Sequence, residues 1–184
     1  MTKGKERVGK INIMERKLTP CTSARAWEIE IRSAAEGRVP VYTDGCVNKS
    51  GSAGFGWAGA DSCGRGGLRA VVTTPTALDC EIAGIRDALE RCMPDSKILV
   101  LSDSKAAIAA LVTAGKTGKA RTHDVARAIE AIRERQERLG EDAVVISWVK
   151  AHIGIVGNEM ADAVAKLGAE EETQANHANC VRTT

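Results

Sequence analysis

The sequence predicts an α/β domain built on a mixed five-stranded sheet, three strands antiparallel and two parallel, flanked by helices. Three observations predict it. Three strand-like segments follow one another between residues 39 and 72 with turn-sized gaps. Beyond residue 80 the apolar period becomes helical, and helical segments alternate with short buried runs. Two of the apolar runs, Tyr42-Thr43-Asp44 and Leu101-Ser102-Asp103, end on an aspartate.

The elements follow in order. Residues 1–20 hold Lys3, Lys5, Arg7, Lys10, Arg16 and Lys17 against Glu6 and Glu15, and read as a flexible basic arm. Residues 23–36 carry two incompatible signals. Ser23 suits a helix cap, whereas Trp27 to Ile31 alternates as a strand does. Val39–Asp44, Ala53–Gly59 and Gly67–Val72 are strand candidates, with Gly64, Gly66 and Gly67 marking the last turn. Short connections make these an antiparallel meander. Ile82, Ile85, Leu89 and Cys92 then recur at helical spacing until Pro94. Lys97–Asp103 is a buried strand, and Ala106, Ile108, Leu111 and Val112 form the next helix. After a loop at Gly115–Lys119, Val125, Ala128, Ile129 and Ile132 mark a long helix closed by Gly140. Ala143–Val149 is the last strand. Gly157-Asn158 opens a final helix through about Leu167, with Asn158 its cap. Strands joined through helices run parallel with right-handed crossovers. The domain occupies residues 37–171, between a basic N-terminal arm or extension (1–36) and a C-terminal tail (172–184).

Composition limits the function classes. The chain has 184 residues, 43% hydrophobic and 3% aromatic, so an aliphatic core fits a single domain. No apolar run reaches the roughly 18 residues of a membrane span, and no apolar segment follows the charged N-terminus. Six cysteines form no C-x-x-C pair and have no histidine at zinc-finger spacing, which suits reduced thiols in a reducing compartment. Net charge is +2, but a compact acidic site would leave the remaining surface more basic.

The acids carry the chemistry. Asp44 and Asp103 stand at the carboxyl ends of two strands, the edge where open α/β sheets place ligands. Singly, each has an ordinary explanation as a strand end or helix cap. Glu81 and Asp162 read as first-turn residues of their helices, where the dipole favours a carboxylate. Together they would repel unless a cation lay among them. An all-oxygen ligand set points to Mg²⁺ or Mn²⁺ rather than zinc.

Four stretches in order resemble the ribonuclease H type 1 family: Tyr-Thr-Asp44-Gly, Cys-Glu81-Ile-Ala-Gly-Ile, Leu-Ser-Asp103-Ser-Lys-Ala-Ala-Ile, and Trp148-Val-Lys-Ala-His152 followed by Gly-Asn158-Glu-Met-Ala-Asp162. The resemblance covers residues 38–171. It implies endonucleolytic hydrolysis of the RNA strand of an RNA–DNA hybrid, leaving 5′-phosphate and 3′-hydroxyl ends. It implies two Mg²⁺ ions, with Mn²⁺ as a substitute, roughly 3.5–4 Å apart. Asp44 would bridge them, Asp162 would complete the water-activating site, and Glu81 and Asp103 the leaving-group site. His152 would shuttle protons or assist metal and product release. Gly45, Asn48, Thr76 and Ser104 would contact the substrate, which is told from duplex DNA by its 2′-hydroxyls.

This chain also departs from the family. Ala77 follows Thr76 where cellular members carry Asn, so part of the DNA-strand grip is missing. The basic protrusion is absent, leaving only Lys116, Lys119 and Arg121 between two helices. Phosphate contacts dominate affinity, so weak, salt-sensitive binding is expected. Ala-His152-Ile-Gly-Ile resembles the ribonuclease H domains of non-LTR retrotransposon reverse transcriptases. That variant implies a retroelement-derived domain, a monomer whose tethered polymerase supplies affinity. A stand-alone enzyme, a transposase-like nuclease of the same fold and an inactive hybrid-binding domain are the competing readings. A hybrid substrate places the protein in nucleus or cytoplasm.

Overall fold

The computed structural model describes residues 6–60, 62–68 and 75–182. Its main sheet has six strands in the order β2-β8-β6-β3-β4-β5. These are β2 (Met14–Glu15), β3 (Val39–Val47), β4 (Ala53–Ala58), β5 (Cys63–Leu68), β6 (Ile98–Ser102) and β8 (Val144–Trp148). β3, β4 and β5 form the antiparallel meander, and β6 and β8 extend it in parallel. The sixth strand corrects the expected count of five. β2 pairs parallel to β8, Met14 opposite Val145. Two exposed residues offer no alternation for a sequence to reveal.

Helices cover both faces. α2 (Ala77–Arg91), α3 (Lys105–Thr117) and α4 (His123–Leu139) pack one core with Val41, Val100 and Ile146 of the sheet. Buried Arg135 of α4 donates to the carbonyls of Leu89, Cys92, Met93 and Ser96, satisfying four acceptors at and beyond the end of α2 near Pro94. On the opposite face α1 (Ala24–Ala35) lays Trp27 and Ile31 over Leu99, Leu101 and Val145. Residues 23–36 are thus a helix, capped by Ser23 whose hydroxyl accepts from the Ala26 amide. α5 (Val156–Arg182) lies over β3, β4 and β5.

Three local expectations change. The arm is folded from Glu6 on: β1 (Glu6–Arg7) pairs antiparallel with β7 (Lys119–Ala120), which begins at the last residue of the loop expected at Gly115–Lys119, while α3 takes up that loop's start through Thr117. β5 begins at Cys63, with the glycines expected to form its turn inside the strand. A Cβ on Gly64 would lie 2.4 Å from the Trp57 indole, so these positions are small because β4's aromatic rings lie across them. Of the segment read as the third strand, residues 69–72 lie outside the described residues. Finally, α5 continues well past Leu167, through the residues read as a tail. The five cysteines 21, 46, 63, 80 and 92 are free, and no helix among the described residues is long and apolar enough to cross a membrane.

Candidate active site

Two close approaches of helix to strand build the site. β3 carries Asp44 and, next to it, Gly45. A Cβ on Gly45 would stand 2.4 Å from the Glu81 backbone nitrogen. Only glycine lets α2 press on β3 there, and the contact sets Glu81 beside Asp44. Across the ladder from Asp44 is Gly56. A Cβ there would lie 2.6 Å from the Ala165 nitrogen and 2.8 Å from the Ala161 carbonyl. The bare strand admits α5 and brings Asp162 to the same region. β6 ends at Ser102, so Asp103 leaves the neighbouring parallel strand at the sheet's carboxyl edge.

Asp44, Glu81 and Asp103 each present a carboxylate oxygen, all within 4.8 Å of one another. Asp162 joins His152 and Glu159 in a second group under the same limit. The groups communicate: the charges of Asp103, Asp162 and His152 all act on Asp44. Burial pushes the Asp44 carboxyl up to about 7, with the Asp103 charge adding to the rise and the Gly45 N–H, donating at 2.7 Å, opposing it. Burial raises Glu81 further, to about 9, reinforced by Asp44 and Asp103. Glu81 Oε2 is buried and has no hydrogen-bond partner among the described residues.

The ordinary explanations for the helical acids do not survive. α2 begins at Ala77, and its first-turn acid is Asp79, which forms a capping box with Thr76. Glu81 lies one turn deeper, where no cap needs it. In α5 the first-turn acid is Glu159, and Asp162 lies beyond it. A carboxylate trio with Asp44 buried, Glu81 and Asp103 partly buried and one orphan oxygen is costly unless a cation binds it. The hard all-oxygen donors of the trio fit a divalent ion such as Mg²⁺.

The chain matches the family described as RNase H over residues 36–170, more than two thirds of its length. It belongs to the ribonuclease H family. No curated protein matches the chain. The family is one of nucleases that use divalent metals and act on RNA–DNA hybrids, and the mixed sheet with its helical layers is the ribonuclease H-like fold.

Around this candidate site, the other residues expected to matter have defined places. His152 is exposed, in a left-handed backbone conformation (φ 52°) on the loop before α5. Thr76 and Ser104 are the N-caps of α2 and α3. The Asn48 carbonyl oxygen accepts from the Ser50 and Ser52 amides, and its amide donates to Thr173 on α5 at 3.1 Å, so it fastens the β3–β4 turn. The Gly45 amide is engaged by Asp44.

Asn158 was misread from sequence. It does not cap α5, which starts at Val156. Its side chain is buried and donates to Asp103 Oδ2 at 3.3 Å, while its own Oδ1 has no partner. Asn is a favoured cap residue, and that preference masked the contact. Lys166, one turn after Asp162, places Nζ 2.6 Å from Asp162 Oδ2. Trp148 donates its indole N–H to the Asp103 carbonyl at 2.9 Å, and Lys105 Nζ lies 4.4 Å from the Trp148 ring centroid. Neither lysine carries a sequence signal, since each depends on helix phase.

Proposed function

We propose that this chain is an endonuclease that hydrolyses the RNA strand of RNA–DNA hybrids, leaving 5′-phosphate and 3′-hydroxyl ends. The observation that carries the reading is the Asp44–Glu81–Asp103 cluster, three carboxylates within 4.8 Å of one another, with burial opposing the ionisation of Asp44 and Glu81. Asp44, Glu81, Asp103 and Asp162 are the residues that would hold two divalent ions. When bound, such ions offset charge on the phosphoryl oxygens and lower the pKa of water, the two-metal chemistry of phosphodiester hydrolysis.

The chain's own groups supply the rest. Asn158 fixes the rotamer of Asp103 through its amide, and the Gly45 N–H fixes that of Asp44. His152, exposed on its loop and within electrostatic reach of Asp44, would take and release protons at the edge of the site. Gly45, Thr76 and Ser104 lie on β3 and at the starts of α2 and α3, and Asn48 in the β3–β4 turn, and we assign all four to substrate contact. The motif around His152 favours a retroelement-derived domain, a monomer working beside a tethered reverse transcriptase in nucleus or cytoplasm.

The test is cleavage of an end-labelled hybrid at low salt with Mg²⁺ or Mn²⁺, beside double-stranded RNA and DNA. Cutting of the hybrid's RNA strand alone is expected, and chelator should abolish it. An intact hybrid under all these conditions overturns the assignment.

A further inference from the structure

The N-terminal segment adds charge to a part of the surface where charge is already unbalanced. β1 runs antiparallel to β7, with Arg7 directly opposite Lys119. Beyond β1, the Ile11 amide bonds the Gly115 carbonyl, which carries Lys10 past the last turn of α3, where Lys116 stands. Arg121 follows β7 two residues after Lys119. All five side chains are exposed, and none is within ion-pair reach of a carboxylate among the described residues. Two acids lie nearby: Glu6, opposite Ala120, faces His123 at 3.8 Å, and Glu130, which lines the same cavity as Arg7, is paired with Arg133.

Directly opposed residues on an antiparallel pair project from the same face, and like charges there are destabilising. Arg7 and Lys119 hold that arrangement with no ion pair to a carboxylate among the described residues. A repulsive pair within a set of five unpaired cations is what a polyanion would neutralise. The patch lies at the far end of α3 from Asp103. Thirteen residues of helix put it about 20 Å away, roughly six base-pair steps along a duplex.

We infer that Arg7, Lys10, Lys116, Lys119 and Arg121 form a second contact surface for the phosphate backbone of the hybrid, built jointly by the N-terminal extension and β7. The inference rests on the proposed substrate. It makes the grip longer than Lys116 at the end of α3 and Lys119 and Arg121 before α4 would provide, and it gives residues 6–11 a role in binding.

The test compares the intact chain with Arg7→Gln/Lys119→Gln. Hybrid binding is measured without divalent metal across a salt series. Turnover is measured on hybrids of roughly 18 and roughly 6 base pairs, the shorter ending before the patch. The double variant should bind the long hybrid about tenfold more weakly, with a salt slope shallower by about 2. It should lose kcat/KM on the long hybrid and keep it on the short one. Its melting temperature should equal or exceed that of the parent, since a repulsive pair is relieved. An unchanged slope, or equal loss on both lengths, overturns the patch. A parent chain that cuts neither hybrid overturns instead the enzymatic reading beneath it.

Discussion

Asp44 and Glu81 are held in the folded chain where ionisation is opposed, by burial first and by neighbouring carboxylates second. The consequence has a definite sign. Both groups titrate higher in the folded state than in the unfolded one, so the folded state keeps protons that the unfolded chain has released. Their contribution to stability is complete below about pH 4 and is lost as pH rises through about 7 for Asp44 and about 9 for Glu81. In chelator, Asp44→Asn should therefore gain stability relative to the parent as pH climbs from 5 to 8, by about 2–4 °C per kcal/mol relieved. Mg²⁺ should stabilise the parent most at the alkaline end and the variant little. Melting curves at a series of pH values read this directly, and a parent that gains on the variant with rising pH refutes it. In turnover the order inverts: Asp44→Asn should abolish cleavage, while His152→Ala should lower it about 10²-fold and leave a measurable remainder. Equal losses would deny the two residues separate roles. Asn158→Ala should weaken Mg²⁺ binding by roughly 10–100-fold in calorimetry, the range for groups that orient metal ligands. The four carboxylates were legible because strand ends and family motifs flag them. Asn158 lies in the same motif, but its contact to Asp103, 55 positions away, leaves no local trace in the sequence.

At the scale of elements, the site depends on where side chains are missing. Gly45 and Gly56 face opposite layers, and each lets one helix deliver one carboxylate. A methyl on Gly45 would meet backbone atoms of α2, which cannot swing aside as a flexible side chain could. Gly45→Ala should then cost about 3 kcal/mol, the upper part of the range for overpacking, and should displace Glu81. Urea denaturation gives the first quantity. A lowered Mg²⁺ affinity in the surviving folded fraction gives the second. Full stability and full affinity together would show that α2 can shift without consequence. The same physics explains what could be read of the elements. β3, β6, β8 and helices α2 to α4 stood out through apolar period. β5 was displaced because glycine punctuates turns and also clears space under Phe55 and Trp57, and composition alone does not separate the two uses. The continuation of α5 depends on small residues such as Ala169 resting on Gly54, a pairing visible only once the sheet exists.

For the molecule as a whole, the N-terminal extension is part of the core and reaches the active edge. The family match begins at residue 36, after α1 has ended. Yet α1 supplies the layer over Leu99, Leu101 and Val145, and Trp27 is 1% exposed at its centre. Trp27 donates its indole N–H to the Cys21 carbonyl at 3.0 Å and meets Trp148 edge to face, centroids 6.0 Å apart. Trp148 in turn holds the Asp103 carbonyl. A chain shortened to residues 37–184 would present those aliphatic side chains to water, and it should aggregate or melt without cooperativity. Trp27→Ala is the milder probe, with an expected cost of about 3–5 kcal/mol for a large cavity. It should also lower turnover on short hybrids, which the basic patch does not touch, because Trp148 loses the ring that braces it. Trp27→Phe should recover most of both. If the shortened chain instead melts at the parent's temperature and cuts short hybrids at the parent's rate, α1 is an attachment to a self-sufficient domain, and the link from Trp27 through Trp148 to Asp103 carries no mechanical load.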